Sequence, residues 1–233
     1  MTTKQKRRKR SKQQGVSTTQ ILIVIGTAVA AVALLVALNS NRLQPATMGK
    51  SAYETGVTPE GQPYKGSPNA PLKVVEYADF LCGACGDFAD TLNTLAPDYI
   101  EMGKVQVVFR NFAFLTPESF LAAQAAECAL DQGADKFWKY HDLLFAARGT
   151  GRAAYSNTRL KAYAQEIGLD TAAFDTCLDS GAKAGEVQTD HDQGASQGVT
   201  RTPTWFINGE KMPGALPESE LRQLFDQLLS QGS

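Results

Sequence analysis

The residues of this chain that can carry out chemistry are its four cysteines, Cys82, Cys85, Cys128 and Cys177. The first two stand in a C-G-A-C run that follows a strand-like segment and opens a helical pattern. A thiol at a helix start faces unpaired N–H groups and the positive end of the helix dipole, which favour the thiolate. We therefore predict that Cys82 is a nucleophile with a lowered pKa. Cys85, one turn further along and facing inward, is then the resolving thiol.

Two other interpretations of the C-G-A-C run stay open, a static disulfide and one half of a zinc site. A structural zinc site takes four ligands, commonly as two close pairs of Cys or His. Cys128 and Cys177 stand 49 residues apart and offer no such second pair. Redox chemistry is favoured because the run joins a predicted strand to a predicted helix. We predict no metal and no cofactor.

The other two cysteines, Cys128 and Cys177, lie on the apolar faces of two predicted helices. In an oxidising compartment, two such thiols are expected to pair. We predict a structural disulfide between them, which closes a loop of about 50 residues. The alternative is a second redox relay, which is disfavoured because neither residue stands at a predicted helix start.

The segments around the C-G-A-C run predict a βαβ unit. Leu72–Phe80 and Val105–Phe114 are rich in Val and aromatic residues, as buried strands are. Between them, apolar residues recur at helical spacing from Cys85 until Pro97, which is predicted to end the helix. A strand, a helix and a strand within about 40 residues indicate a right-handed crossover on a parallel sheet.

The rest of the chain predicts a helical block followed by a return to the sheet. Some 75 residues with helical periodicity begin at Pro117 and contain four predicted helices. Asn208-Gly209 then predicts a tight hairpin turn, and Pro217 starts a last amphipathic helix. This order is typical of one α/β layer with a helical insertion, over about 116-195, rather than two sequential domains.

Two segments resemble those of a known family. VVEYADFLCGACGDFA resembles the active-site segment of the DsbA-like thiol-disulfide oxidoreductases, and GVTRTPTWFINGEKMPGA is similar to their proline loop. The helical block between the two segments has the size of that family's insertion. The resemblance covers roughly residues 55–233 and implies a thioredoxin-like α/β fold with an inserted helical domain.

The resemblance also implies roles for three further residues. Pro203 matches the family's cis-proline, which faces the cysteine pair, so the backbone of Thr202 is expected to bind an extended substrate segment. Glu76, six residues before Cys82, matches a buried acid that relays a proton to or from Cys85. An ordinary strand-start proline and a glutamate facing water are the alternatives.

The N-terminal part of the chain has the pattern of a membrane anchor. All seven charges in the first 12 residues are basic, and residues 21–38 form an uncharged apolar run. As a helix this run spans roughly 27 Å, close to the hydrocarbon thickness of a bilayer. We predict a basic cytoplasmic tail over 1–15, a transmembrane helix over 16–39 and an extracytoplasmic linker over 40–68. A cleaved signal peptide is the alternative.

The folded domain is predicted over 69–233, and its charge excludes one class of function. Residues 51–233 carry 14 Lys and Arg against all 24 Asp and Glu. A body this acidic excludes a nucleic-acid-binding surface, which needs clustered basic residues.

The sequence therefore predicts a single-pass membrane protein whose extracytoplasmic domain is a thiol-disulfide oxidoreductase. Its expected partners are exported proteins with free or paired cysteines and a membrane redox protein that recycles the cysteine pair. Reductase or isomerase activity is one alternative, and a tethered binding module with a static C-x-x-C disulfide is another. The strongest oxidants of the family carry a His beside the second cysteine. Gly83-Ala84 bears no charge here, so the direction of electron flow stays open.

Overall fold

The structure is a computed structural model that describes residues 53–231. Within that range the chain forms six strands, seven α-helices and one 3₁₀ turn (Arg152–Tyr155). In chain order these are β1 (Thr55–Val57), β2 (Pro63–Lys65), β3 (Leu72–Ala78), α1 (Gly83–Tyr99), β4 (Val105–Asn111), α2 (Pro117–Leu130), α3 (Ala134–Ala146), α4 (Asn157–Glu166), α5 (Thr171–Ser180), α6 (Ala184–Ser196), β5 (Thr204–Ile207), β6 (Glu210–Pro213) and α7 (Glu218–Gln231).

The six described strands form one mixed sheet in the order β1-β2-β4-β3-β5-β6. β3 and β4 are parallel and joined by α1, which confirms the predicted βαβ unit, and the other neighbours are antiparallel. The register places Glu76 of β3 between Phe109 of β4 and Trp205 of β5. Asn208 and Gly209 both have positive φ at the β5–β6 turn, as the predicted hairpin requires.

The sheet buries a large core on one face and a smaller one on the other. Because side chains alternate along a strand, Val74 and Ala78 of β3 join the main core with α1, whereas Tyr77 joins Phe112 in the second cluster. Gly194 lets α6 lie close against this second cluster. A Cβ at Gly194 would stand 2.8 Å from the rings of Tyr77 and Phe112.

Buried polar contacts fix the helical insertion, α2 to α6, to the end of β4. The two carboxylate oxygens of Asp190 on α6 accept hydrogen bonds from Arg110 Nη1 and from the Asn111 backbone N–H, each at 3.0 Å. The Asn111 side-chain amide donates to Glu127 Oε1 of α2 at 2.6 Å. Each of these hydrogen bonds joins β4 to a helix of the insertion, so together they specify how the insertion docks on the sheet.

A disulfide links two helices of the insertion. Cys128 of α2 and Cys177 of α5 are bonded, with their Cα atoms 5.9 Å apart, which is the predicted pairing. Cys128 is buried and Cys177 is partly buried against the same core. The bond therefore holds the ends of a long helical segment together inside the insertion.

The folded part begins earlier than the predicted boundary at residue 69. β1 and β2 lie within the segment 40–68 that the sequence predicts to be a linker, and β2 pairs with β4. Each strand is only three residues long, and Gly56 and Pro63 lie within them. Such short strands show no alternation of apolar residues, which is the signal that sequence reasoning requires.

The limits of several other elements also differ from the predictions. α1 continues past Pro97 to Tyr99, so the proline stands in the last turn and does not end the helix. The α6 helix is not predicted, since Val187 is its only large apolar residue. β3 and β4 end two and three residues before the predicted limits, Phe80 and Phe114.

Some predictions concern residues outside the described range. They are the basic tail over 1–15, the transmembrane helix over 16–39 and the linker as far as residue 52. Among the helices of residues 53–231, none has the length and apolar character needed to cross a membrane.

We predict that the Cys128–Cys177 bond stabilises the domain, because it closes a loop across a sequence separation of 49 residues. In the chain-entropy model, the double change Cys128→Ala and Cys177→Ala lowers the free energy of unfolding by about 4 kcal/mol. Urea denaturation measures this difference. Thr176→Ala on the exposed side of α5 is the matched control and should change it by less than about 0.5 kcal/mol. Equal stability of the double variant and the wild type would contradict the prediction.

Candidate active site

Cys82 is the N-cap residue of α1, at the point where the chain leaves β3. Its backbone is extended (φ −78°, ψ 117°), and its carbonyl accepts the Gly86 N–H at 3.2 Å. The Cys82 side chain is partly exposed, and its sulfur lies 3.4 Å from the carbonyl oxygen of Thr202, to which the thiol donates when it is protonated. The predicted nucleophile is therefore accessible and lies directly beside the predicted substrate-binding residue.

The surroundings of Cys82 stabilise its thiolate and lower its pKa to about 6. The largest contribution is a hydrogen bond from the Cys85 side chain. The Thr202 side chain and the backbone N–H groups of Ala84 and Cys85 lower the pKa further, while partial burial raises it. An unperturbed cysteine has a pKa of about 8.5 and is mostly a thiol at neutral pH, whereas Cys82, with its lowered pKa, is mostly a thiolate.

Cys85 has the opposite environment, although it is only three residues away. It is fully buried in the main core, where Phe88 and Leu92 of α1 also lie. Burial raises the pKa of the Cys85 thiol far above its ordinary range, and the nearby negative charges of Glu76 and Cys82 raise it further. One thiol is thus accessible and charged, and the other is shielded and protonated. Both are free in this structure.

The loop that faces Cys82 is built around a cis peptide bond between Thr202 and Pro203. Pro203 is buried, and its carbonyl accepts the Gly214 N–H at 2.7 Å. Thr204 Oγ1 donates to the Arg201 carbonyl at 2.7 Å. These bonds fix the loop from both sides, so the backbone of Thr202 is presented next to the reactive sulfur.

Glu76 lies on β3, where its side chain is only 1% exposed and its Oε1 has no hydrogen-bond partner among the described residues. Burial raises the pKa of Glu76 to about 8. The positive charge of Lys65 lowers this pKa and the charge of Cys82 raises it. Glu76 is therefore a buried titratable group that interacts electrostatically with both thiols, which suits a proton relay.

Lys65 on β2 is a site residue that sequence reasoning missed. Its side chain is 1% exposed, its ammonium group donates to Asn93 Oδ1 at 2.8 Å, and Nζ lies 4.6 Å from the centroid of the Trp138 ring. Burial lowers the pKa of Lys65, while the charges of Asp142 and Glu76 oppose that effect. A lysine in a Pro- and Gly-rich segment gives no signal of burial, so nothing in the sequence distinguishes it from a surface residue.

The structure gathers Cys82, Cys85, Glu76, Thr202 and Pro203 around the C-terminal end of β3, whereas the Cys128–Cys177 bond joins two insertion helices. A charged sulfur, a shielded thiol behind it and a buried acid are the parts that thiol–disulfide exchange needs. In that chemistry a charged sulfur forms the mixed disulfide, a shielded thiol resolves it and an acid can move a proton. Within residues 53–231, no three His, Cys, Asp or Glu side chains are close enough together to hold a metal ion.

The chain is similar in sequence and fold to several known proteins. A family model described as thioredoxin matches residues 58–227 of the chain. The probable disulfide bond formation protein D of Bacillus anthracis is 32% identical over 193 residues, which cover 81% of this chain and 83% of that protein. The crystal structure of oxidised BdbD from Bacillus subtilis matches with a TM-score of 0.68 and 26% identity, over 76% of this chain and 98% of that one.

Another similar protein is much longer than this chain. The Na(+)/H(+) antiporter NhaA 3 of Salinispora tropica is 37% identical over 160 residues, which are 68% of this chain. The chain spans only 23% of the length of that antiporter, so the similarity concerns one part of it.

We predict that the pKa of Cys82 depends on the side chain at position 85. Cys85→Ala removes the largest hydrogen bond to the thiolate and should raise the pKa of Cys82 by about one pH unit. Cys85→Ser is the matched control, because its hydroxyl still donates, and it should raise the pKa less. Ultraviolet absorbance of the thiolate during a pH titration measures both values. Identical titration curves for the two variants would contradict the assigned cause.

We predict that Glu76 gives the resolving step a pH dependence. The pKa of Glu76 is about 8 beside the Cys82 thiolate and falls once a client is bonded to Cys82. In the mixed disulfide the carboxylate that accepts the Cys85 proton should therefore form, and resolution accelerate, as the pH rises toward 8. Glu76→Gln should remove this acceleration. Lys65→Met should move it to higher pH, since the lysine charge lowers the pKa of Glu76. Release of a mixed disulfide on Cys82, followed by rapid quenching, measures the rate, and a profile unchanged in Glu76→Gln would exclude the relay.

Proposed function

We propose, from the premise that this chain belongs to the DsbA-like thioredoxin family, that it is a thiol-disulfide oxidoreductase acting on cysteines of other proteins through its C-G-A-C pair. The observation that carries the proposal is the contrast between the two thiols of α1. Cys82 is accessible with a pKa near 6, and Cys85 is buried with a raised pKa. A static disulfide needs no such contrast, whereas exchange needs one attacking and one shielded sulfur.

The proposed reaction transfers two electrons and one net proton from a client dithiol to the cysteine pair, and the second client proton passes to solvent. A client thiolate attacks the Cys82 sulfur of the oxidised pair, the bond to Cys85 breaks, and Cys85 leaves and takes a proton, with Glu76 as the proposed donor. A second client thiolate then attacks the client sulfur of the mixed disulfide. The client disulfide forms, and Cys82 leaves as a thiolate that its hydrogen bonds stabilise.

Stabilisation of the Cys82 thiolate favours the reduced pair, and therefore favours oxidation of clients. The uncharged Gly83-Ala84 dipeptide adds little to this stabilisation, which keeps reduction or isomerisation of client disulfides as the second candidate. The reduction potential separates the two directions. A value near about −120 mV indicates an oxidant and a value near about −270 mV indicates a reductant.

We also propose that residues 16–39 anchor the protein in the membrane, with the catalytic domain on the extracytoplasmic side. The basic tail before the apolar run supports this orientation, since positive flanks stay in the cytoplasm. The clients would then be exported proteins that fold in an oxidising compartment. A membrane redox partner would reoxidise Cys82 and Cys85 after each cycle, because the pair takes up two electrons per client disulfide.

The two cysteines should give opposite results when each is replaced. Cys85→Ser should accumulate mixed disulfides between Cys82 and unfolded client proteins that carry a disulfide. The Cys82 thiolate attacks that disulfide, one client sulfur leaves as a thiolate, and the internal thiol that would break the new bond is absent. Cys82→Ser should accumulate none, since the buried Cys85 is not accessible. Non-reducing electrophoresis of acid-quenched samples detects the adducts. If Cys85→Ser forms no covalent adduct with any unfolded client, the assignment of nucleophile and resolving thiol fails, and the static disulfide becomes the better interpretation.

Topology gives an independent prediction for the anchor. Protease added to intact spheroplasts should digest the body of the protein and leave the basic tail protected, because only the tail faces the cytoplasm. Immunoblotting against tags at each end distinguishes the two parts. A protected body, or a soluble mature form that lacks residues 1–40, would contradict the anchored topology.

A further inference from the structure

The segment that joins α3 to α4 contacts the chain on both sides of Cys82. Before Cys82, the buried Tyr155 hydroxyl donates to the carbonyl oxygen of Phe80 at 3.1 Å. After Cys82, the side chain of Arg148 lies on α1 at Gly86. The helical insertion therefore holds the chain two residues before the nucleophile and four residues after it.

Gly86 provides the space that Arg148 occupies, because a glycine has no side chain to fill it. Gly86 is buried, although it stands near the start of α1. A Cβ at this position would stand 2.6 Å from Arg148 Nε and 3.0 Å from Arg148 Cζ, too close for any other residue type to fit beside the arginine. Glycine is unfavourable inside a helix compared with alanine, and this close approach gives Gly86 a physical reason.

The guanidinium group of Arg148 bonds both of the helices that it joins. Its Nη1 donates to the Phe145 carbonyl in the last turn of α3 at 3.0 Å. Its Nη2 donates to the carboxylate of Asp90 on α1 and, at 3.4 Å, to that of Asp87. Both carboxylates are largely exposed, and exposed ion pairs alone contribute little. The contact is strong because the stem of the arginine packs on buried backbone while its planar head bonds three acceptors.

The backbone under Arg148 belongs to the turn that stabilises the Cys82 thiolate. The Gly86 N–H donates to the Cys82 carbonyl at 3.2 Å and closes this turn. Within it lie Ala84 and Cys85, whose two N–H groups and one thiol bond the Cys82 sulfur. Helix ends fray, and a donor stabilises a charged sulfur only while it stays aligned with it. A loose first turn would therefore weaken all three donors at once.

We propose that Arg148 is a positioning residue that fastens the first turn of α1 to the helical insertion and so keeps the donors of this turn aimed at the Cys82 sulfur. This inference rests on the function proposed above and adds a residue that sets the reactivity of its nucleophile. Arg148 acts through the contact with Gly86. A purely electrostatic role would need only the charge of the arginine and not that contact.

The test measures the pKa of Cys82 in the reduced full-length protein in detergent. The pH dependence of alkylation by iodoacetamide gives this pKa, and mass spectrometry identifies the modified cysteine. Arg148→Ala should raise the pKa by about one unit, which is a tenfold smaller ionisation constant. Gly86→Ala should have the same effect, because the new Cβ displaces the arginine while its charge remains. The double variant should match either single variant, since both remove one contact.

Arg222→Ala is the matched control. Arg222 binds Asp98 of α1 at 2.6 Å and Glu218 of α7 at 3.2 Å, so it also joins α1 to another element through ion pairs. Asp98 lies at the opposite end of α1 from Cys82, and the control should therefore leave the pKa of Cys82 unchanged. Thermal denaturation of all variants separates a selective change in this pKa from a general loss of stability.

Each outcome decides the matter. Equal shifts in Arg148→Ala and Gly86→Ala, with no further shift in the double variant, support the proposal. An unchanged pKa in Arg148→Ala, additive shifts in the double variant or an equal shift in Arg222→Ala overturns it. If Arg148→Ala does not fold, Gly86→Ala decides alone, because alanine is favoured over glycine in a helix. A wild-type pKa of Cys82 near about 8.5 is a different result, in which the proposed function itself fails.

Discussion

The contrast between two thiols on a single helical turn is the constraint on which the rest of the site depends. Cys82 and Cys85 share a helix end, yet hydrogen bonds lower the pKa of the first and burial raises that of the second. The hydrogen bond from Cys85 to Cys82 contributes to both pKa shifts. It stabilises the Cys82 thiolate, and it makes the Cys85 proton harder to remove. Any change that lets water reach Cys85, or that removes donors from Cys82, would reduce the contrast. The fold must therefore seal one sulfur while it exposes the other.

The sheet provides this arrangement because its central strand carries functional groups at its C-terminal end. β3 places Glu76 between Phe109 and Trp205 inside the core. After β3, a turn in which the Cys82 N–H donates to the Asp79 carbonyl leads the chain into α1. The β5 strand begins at the cis-proline loop, so the partner that pairs with β3 also brings Thr202 to Cys82. The helical insertion leaves from the end of β4 and returns to the start of β5.

The sequence predicts those parts of the site whose residue types carry a local signal. The C-G-A-C run, the Asn-Gly hairpin and the amphipathic helices all combine residue type with spacing, and the family resemblance adds Pro203 and Glu76. Lys65 and Arg148 could not be found in this way, because their roles depend on contacts with residues distant in sequence. Lys65 binds Asn93 and lies over Trp138, and Arg148 lies on Gly86. The same cause explains why β1, β2 and α6 are not predicted. β1 and β2 form by pairing into the sheet and α6 forms by docking on it, and none of the three has regularly spaced apolar residues.

The buried charges below the pair connect proton transfer to the state of Cys82. The thiolate of Cys82 raises the pKa of Glu76, and by reciprocity a charged Glu76 opposes the thiolate, so the two groups titrate as a coupled system. When Cys82 is bonded to a client, its negative charge is absent and the pKa of Glu76 falls below the value it has beside the thiolate. The carboxylate then forms more readily when Cys85 must lose its proton to attack the mixed disulfide and release the client, which is the reverse of the client-oxidising step. Lys65 acts in the same direction, because its positive charge also lowers the pKa of Glu76. The acid therefore holds its proton while Cys82 is charged, and becomes a better base for Cys85 once the mixed disulfide has removed that charge.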